Sequence, residues 1–426
     1  MPALKASPSK NPVPNIMNCR HCKAPLTHQF ADLVTCPPSN AMVAAGQENQ
    51  PEQYYPLKVY VCDQCWLVQT DELEKAEDIF NAEYTYFSSF STSWVAHAKQ
   101  YAEMMVERFG FDANSQVVEI ASNDGYLLQW FAKMGIPVLG VDPTANTAAA
   151  AKEKGIDTIV DFFGKRVATE RLVPEGKMAD LILGNNVLAH VPDINDLVGG
   201  IKIALKPTGV ATMEFPHLMR LVMENQFDTI YHEHFSYLSL TFVQRLFRSQ
   251  GLEIFDVEEW GTHGGSLRIF ARHTADDSKP VSERVTDLLA REDALGMKGL
   301  EYYTGFQQKI DDIKYAFWTW LIEQKRAGKT VVGYGAAAKG NTLMNYAGLK
   351  GTDLIAYVAD ANPHKQKKLN PGNRVPVLPP STIAETKPDF VIIFPWNLSK
   401  EIGEQLKYIR DWGGKFVRFI PALEEF

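Results

Sequence analysis

Val117-Val118-Glu119-Ile120-Ala121-Ser122-Asn123-Asp124-Gly125-Tyr126-Leu127-Leu128 decides the fold. Two β-branched residues and an acid lead into a tight polar turn with one glycine, and an apolar helical run follows. Strand, turn and helix start, in that order, make the crevice where open α/β sheets bind cofactors. After the helix, Val138-Leu139-Gly140-Val141-Asp142 reads as a second strand ending in an acid. A carboxylate there can accept both hydroxyls of a ribose. The turn holds Asn123 and Asp124 where a dinucleotide site needs more glycine. A pyrophosphate requires close backbone approach and no negative charge beside it, whereas an adenosine joined to a sulfonium cation requires neither. The pocket therefore reads as one for S-adenosylmethionine (SAM) rather than NAD, lined by Glu119, Ala121, Asn123, Asp124, Gly125, Asp142 and Pro143.

The chain around this turn has 426 residues, enough for two or three domains, and 45% hydrophobic residues, enough for globular cores. With 43 basic and 51 acidic residues the net charge is −8, which disfavours a nonspecific nucleic-acid binder. No apolar stretch is long enough to span a membrane and no apolar signal segment is present, so no membrane partner is expected. Of the 5 cysteines, four fall as Cys19-x-x-Cys22 and Cys62-x-x-Cys65. Reduced thiols in the cytoplasm are the simplest reading of that usage.

Residues 1–15, rich in Pro, Ser, Asn and Lys, read as a disordered tail. Residues 16–75 hold the cysteine pairs, with short strands near Gln29–Leu33 and Leu57–Val61. Four thiolates in two knuckles close a tetrahedral Zn2+ site, and with all four positions filled that zinc is structural. His21, His28 and Cys36 are alternative ligands. Residues 76–272 alternate strands and helices: a helix Ser93–Phe109, then strands Val117–Ile120, Val138–Val141, Thr158–Val160, Leu181–Gly184 and Gly209–Glu214. That alternation predicts a doubly wound, mostly parallel sheet with Glu253–Val257 and Ser266–Ala271 as an antiparallel edge. Residues 280–426 open with one long helix, Ser282 to Ala327, and form a second, Rossmann-like α/β unit.

In that last unit, Gly333-Tyr334-Gly335-Ala336-Ala337-Ala338-Lys339-Gly340-Asn341 is a turn of small residues with one lysine and no acid. Backbone N–H groups at a helix start beside a cation suit a diphosphate, although a tight helix–strand packing turn would look the same. Asp360, Asn362 and Lys365 follow its second strand, where base or ribose contacts belong. The densest polar cluster is Tyr231-His232-Glu233-His234. On an extended segment His232 and His234 share one face while Tyr231 and Glu233 take the other. Asn185, Asn186 and His190 leave the fourth strand at the cofactor edge. Tyr84 and Tyr86 are candidates for a lid, and Ser266 and Arg268, after a Gly-rich turn, for a sugar or phosphate contact.

Taken together, the Cys19/Cys22/Cys62/Cys65 knuckles, the Tyr84-x-Tyr86-Phe87-Ser88 segment, the Glu119–Gly125 loop, Tyr231–His234, the Thr262–Ser266 turn and the Gly333–Gly340 loop resemble the zinc-containing deoxysugar C-methyltransferases. These SAM-dependent enzymes alkylate C3′ of nucleotide-linked 4-keto sugars. The resemblance implies a class I SAM methyltransferase fold between a zinc-binding domain and a C-terminal domain that holds the sugar nucleotide. It implies His234 as the base, with Tyr231, Glu233 and His190 around the sugar, and one of Tyr84 and Tyr86 reaching the site; His232, beside them, is a candidate sugar contact. The chemistry agrees with the residues: the His234 imidazole takes the proton alpha to a ketone, Tyr231 or a neighbouring donor steadies the enolate oxygen, and the carbon accepts the methyl. Two rival readings fit the same residues: an O-methyltransferase with the same SAM loop, and a zinc-ribbon RNA-binding or RNA-modifying protein. A nucleotide-diphosphate sugar is the expected partner, on a monomer or small homo-oligomer in the cytoplasm.

Overall fold

The turn after Ile120 lies at the centre of a seven-stranded sheet built from β1 (Val117–Ile120), β2 (Val138–Val141), β3 (Thr158–Ile159), β4 (Ala179–Asn185), β5 (Leu205–Pro216), β6 (Leu252–Trp260) and β7 (Ser266–His273). The order is β6-β7-β5-β4-β1-β2-β3, with β7 antiparallel to both neighbours and the other pairs parallel. Strand order reverses between β1 and β4, so the Ala121–Gly125 turn sits at the switch point, the crevice where ligands bind such sheets. All of β1 is buried, as a strand covered on both faces must be. The helix Thr92–Phe109 covers one face, packing Tyr101, Ala102 and Met105 with Phe131, Leu181 and Phe270. Ser91 caps its start by accepting from the Trp94 N–H, and Gly110 ends it in a left-handed turn. The helices Ile194–Ala204 and Leu240–Ser249 cover the other face. This computed structural model describes residues 17–73, 75–80 and 87–426; the expected tail over 1–15, and Tyr84 and Tyr86, lie outside them.

The cysteine-bearing segment forms a four-stranded antiparallel sheet: His28–Cys36, Tyr55–Val61, Val68–Thr70 and, from far downstream, Ser236–Tyr237. That last strand begins two residues after His234, so the zinc-side sheet closes on the segment with the densest polar cluster.

The C-terminal unit is a six-stranded sheet of β8 (Val331–Tyr334), β9 (Val358–Ala359), β10 (Val377–Leu378), β11 (Phe390–Ile393), β12 (Lys415–Arg418) and β13 (Glu424–Glu425), ordered β10-β9-β8-β11-β12-β13. Only β13 is antiparallel. Its strand order reverses between β8 and β11, so the loop after β8 sits at the switch point. The single helix expected from Ser282 to Ala327 is instead three: Glu283–Ala294, Glu301–Thr304 and Phe306–Arg326. Gly296, at φ +82°, takes the left-handed turn that ends the first, a conformation glycine adopts without steric cost. No helix of the described residues is long and apolar enough to cross a membrane.

Candidate active site

The two cysteine knuckles are built alike. Cys19 N donates to the Ala24 carbonyl and Lys23 N to the Cys19 carbonyl; Cys62 N donates to Leu67 and Trp66 N to Cys62. Lys23 and Trp66 hold matching left-handed backbones at φ 65° and 67°. The four Sγ atoms lie within 4.8 Å of one another, with Cys19–Cys65 at 3.6 Å and Cys22–Cys62 at 3.5 Å. A tetrahedron with Zn–S bonds of about 2.3 Å places its sulfurs roughly 3.8 Å apart, so the set fits zinc. Thiol hydrogen bonds from Cys62 and Cys65 push the Cys19 pKa down, a thiolate already favoured among thiols. His21 pairs with Asn195 (2.8 Å) and His28 with Asp63 (3.6 Å), so neither joins the sulfurs. Cys36 is buried elsewhere, and burial pushes its thiol up to about 12.

The loop after β1 is drawn tight by the acid after β2. Asp142 accepts from Asn123 N (2.8 Å) with one oxygen and from Thr144 N (2.9 Å) and Thr147 Oγ1 (3.0 Å) with the other. Ala121 and Asn123 take left-handed backbones at φ 54° and 49°. Strain of this kind costs about 1 kcal/mol or more and persists where surroundings impose it. Glu119 is buried with Oε2 unpartnered, and burial, then Asp142 and Asp124, raise its pKa well above the carboxylate range. Asp124 pairs with Lys154 (3.0 Å) but leaves Oδ1 unpartnered; both amide atoms of Asn185 and Oδ1 of Asn186 are buried without partners. Gly125 lies against Ile156 and Ala151, and Pro143 is half-buried beside Asp142. Orphaned acceptors in an acidic crevice suit a cationic ligand rich in N–H and hydroxyl donors, and repel a pyrophosphate. SAM meets that description.

Tyr231–His234 is a turn, closed by His234 N donating to the Tyr231 carbonyl (2.9 Å), rather than an extended segment. The expected alternation therefore fails, and Tyr231 and His234 come together with ring centroids 4.0 Å apart. His190 meets His234 at 4.6 Å. His234 Nδ1 donates to the Thr229 carbonyl (2.8 Å), so Nε2 is its acceptor nitrogen. Burial and the neighbouring His190 push the His234 pKa well below its ordinary value, and burial pushes His190 down to about 4. Both rings are neutral at pH 7. From the zinc-side sheet, Thr70 Oγ1 donates to the His234 carbonyl (3.2 Å) and Thr70 N to the Phe235 carbonyl (3.1 Å). Glu233 accepts from Asn40 Nδ2 (2.7 Å). His232, expected at the sugar, turns away: its Nε2 bonds the Pro56 carbonyl (3.1 Å) and its ring meets Tyr55.

The C-terminal loop has two characters. A Cβ on Gly333, Gly335 or Gly340 would fall 2.5, 2.5 or 2.6 Å from Phe394 or Pro395 atoms, so those three glycines serve helix–strand packing. Asp360 accepts from Ala336 N (2.7 Å) and Asn362 N (2.8 Å), and Lys365 donates to the Ala336 carbonyl (2.8 Å). These residues shape the loop. Asn341 accepts from Asn345 and Asn373 and leaves Nδ2 buried and unpartnered. Lys339 differs: Nζ lies 4.5 Å over the Trp396 ring and donates to Asn397 Oδ1 (3.0 Å). Burial lowers its pKa, against the opposing pull of buried Asp228. Asp228 accepts from Trp396 Nε1 (2.7 Å), and burial raises its pKa to about 6. Neither Asp228 nor Trp396 stood out in the sequence, because the two meet only through the fold.

Arg268 and Ser266 are corrections. Arg268 is 1% exposed, bonded to Glu214 (2.6 Å) and Glu258 (3.0 Å) between the Tyr101 and Trp260 rings, beyond reach of a ligand. Ser266 Oγ donates to the Thr262 carbonyl (3.0 Å). The side chain that this turn points at Asn186 is His263, whose Nε2 lies 2.9 Å from Asn186 Nδ2.

Sheet order, acidic crevice and sulfur cluster together define a class I SAM methyltransferase with a zinc site. Family models agree along the chain: a zinc-binding domain over residues 19–80, a methyltransferase domain over 94–257 and a C-methyltransferase C-terminal domain over 261–421. The chain is 36% identical over 370 residues to C-methyltransferase NovU of Streptomyces niveus, covering 87% of each protein. It belongs to the zinc-containing SAM-dependent C-methyltransferases. A shorter match, 29% over 100 residues, joins it to a ubiquinone biosynthesis O-methyltransferase of Rhodopseudomonas palustris (strain BisA53), covering 23% of this chain and 38% of that one. The solved PH0226 protein of Pyrococcus horikoshii OT3 overlaps at TM-score 0.36 and 16% identity, over 47% of this chain and 99% of that one, too slight a likeness to argue from.

Proposed function

We propose that the enzyme methylates carbon C3′ of a nucleotide-diphosphate 4-keto deoxysugar, with His234 as the base, in the cytoplasm. One observation carries the reading: His234 is a buried imidazole, kept uncharged by burial, whose Nδ1–H is fixed on the Thr229 carbonyl, leaving Nε2 as the acceptor nitrogen of a ring packed against His190 and Tyr231. A hydrogen alpha to a ketone is acidic enough for such a base, given a donor at the developing oxyanion. Bound in the acidic crevice, SAM would supply an electrophilic methyl. Glu119, Asp142, Asn185 and Asn186 would hold it on one side of His234, and Lys339 would bind the diphosphate on the other. His234 then removes the proton, Tyr231 and Glu233 orient the ring, and the carbon takes the methyl. Holding both ligands end to end supplies much of the rate.

The test offers thymidine-, cytidine- and guanosine-diphosphate 4-keto sugars with SAM and reads the products by mass spectrometry and NMR. A new C–C bond next to the ketone supports the reading. An ether, or no sugar product from any of the three, counts against it.

A further inference from the structure

The Gly261–Ser266 turn holds more than a hairpin needs. His263 adopts φ +53°, the left-handed region that non-glycine residues seldom enter. Three contacts impose that conformation. Thr262 Oγ1 donates to Glu214 (2.9 Å), and Gln226 Nε2 donates to the Gly264 carbonyl (2.6 Å). Gly264 presses on Trp396 so closely that a Cβ would stand 2.3 Å from the ring. Backbone strain imposed by its surroundings is characteristic of side chains held for function.

The ring so held packs edge-on against Trp94 (5.0 Å), and its Nε2 faces Asn186 Nδ2. An amide nitrogen only donates, so Nε2 accepts and the neutral ring carries its proton on Nδ1. No acceptor for that Nδ1–H occurs among the described residues. Asn186 lies on the cofactor side, while Trp396 carries Lys339 over its ring on the other. His263 thus stands where the two ligand sides meet. Burial, with Lys339 as the next cause, pushes its pKa down to about 4, so it stays neutral while donating. A neutral imidazole can polarise a carbonyl without releasing its proton.

We propose that His263 is a further substrate-contacting residue, its Nδ1–H donating to the ketone oxygen as that oxygen becomes an enolate oxyanion. The inference rests on the carbon-methylation reading above. His234 Nε2 takes the C3′ proton, and the C–H electron pair becomes the C3′–C4′ π bond. The carbonyl π pair moves to the oxygen, which His263 stabilises without proton transfer. When the ketone re-forms, C3′ bonds to the methyl, the S–CH3 pair returns to sulfur, and His234 releases its proton to water.

The test isolates deprotonation from methyl transfer. Thymidine-diphosphate 4-keto-6-deoxyglucose is incubated in D2O with S-adenosylhomocysteine, and NMR follows deuterium entering C3′ for wild type, His263→Asn and His263→Gln. Asparagine tolerates the left-handed backbone and can place a donor where Nδ1 stood; glutamine reproduces only the Nε2 position. Loss of one oxyanion donor costs about 100- to 1,000-fold. Exchange ranked wild type, then Asn, with Gln lower by about that factor, at unchanged SAM affinity by calorimetry, supports the assignment. Equal exchange in all three, Gln matching or exceeding Asn, or losses that track SAM affinity would overturn it while leaving the carbon-methylation reading intact. Wild type that methylates this sugar yet never exchanges C3′ would overturn both.

Discussion

Gln69 joins Cys19 to the reactive turn: its Nε2 donates to Cys19 Sγ at 3.2 Å while its backbone pairs in register with Ser236, two residues beyond His234. Its neighbour Thr70 bonds the His234 carbonyl. The metal-ordered sheet therefore ends on the segment that fixes the imidazole, and zinc in such a place acts on geometry rather than on electrons.

Removing the metal should accordingly lower the melting temperature and kcat together, while SAM affinity changes little, because the SAM crevice hangs on β1 and β2. Metal analysis should find one zinc per chain. A zinc-free preparation with native melting and native kcat would refute this role.

The pH dependence follows from the sign of the His234 shift. A base must be neutral to act, and burial with His190 beside it holds His234 well below the ordinary 6.5. On falling pH, kcat/KM should stay level through 6.5 and decline only lower down. A rising limb centred at or above 6.5 would show that the base is not a desolvated histidine.

Arg268 should matter for folding and not for substrate. Removing one partner of a buried ion pair strands the other, at about 3–5 kcal/mol. Arg268→Leu should lower unfolding free energy by roughly that amount, and Glu214→Gln added to it should recover part. Unchanged stability with a raised KM would return Arg268 to the ligand.

Lys339→Ala should raise KM for the nucleotide sugar by about 10- to 100-fold, in line with about 1.5–3 kcal/mol for a charged hydrogen bond. SAM affinity should hold. An unaltered KM would remove Lys339 from the diphosphate.

How much of this was legible depends on range. The Val117–Gly125 strand and turn, and the paired cysteines, are local patterns whose meaning survives folding, so the central sheet and the sulfur cluster followed from the sequence. The apolar period over 282–327 runs on through the glycine turns near Gly296 and Gly305, so the sequence suggests one helix where the fold has three. The spacing of Tyr231–His234 suggests the alternation of an extended segment, but a hydrogen-bonded turn gathers Tyr231 and His234 and sends His232 to Pro56. The pairing of Trp396 with Asp228 spans 168 residues, and no local pattern announces it. In the Thr262–Ser266 turn the sequence favours Ser266 and Arg268, and only the fold shows that Glu214 pairs with Arg268 and that His263 takes the left-handed backbone.

In the proposed reaction, His234 deprotonates the carbon that receives the methyl. The most direct measurement compares wild type with His234→Ala on the accepted nucleotide 4-keto sugar, scoring methylated product by mass spectrometry and SAM binding by calorimetry. Wild type should give a C3′-methyl product, and the variant a rate lower by about 100- to 10,000-fold with SAM affinity retained. Methylation by His234→Ala at the native rate would contradict it.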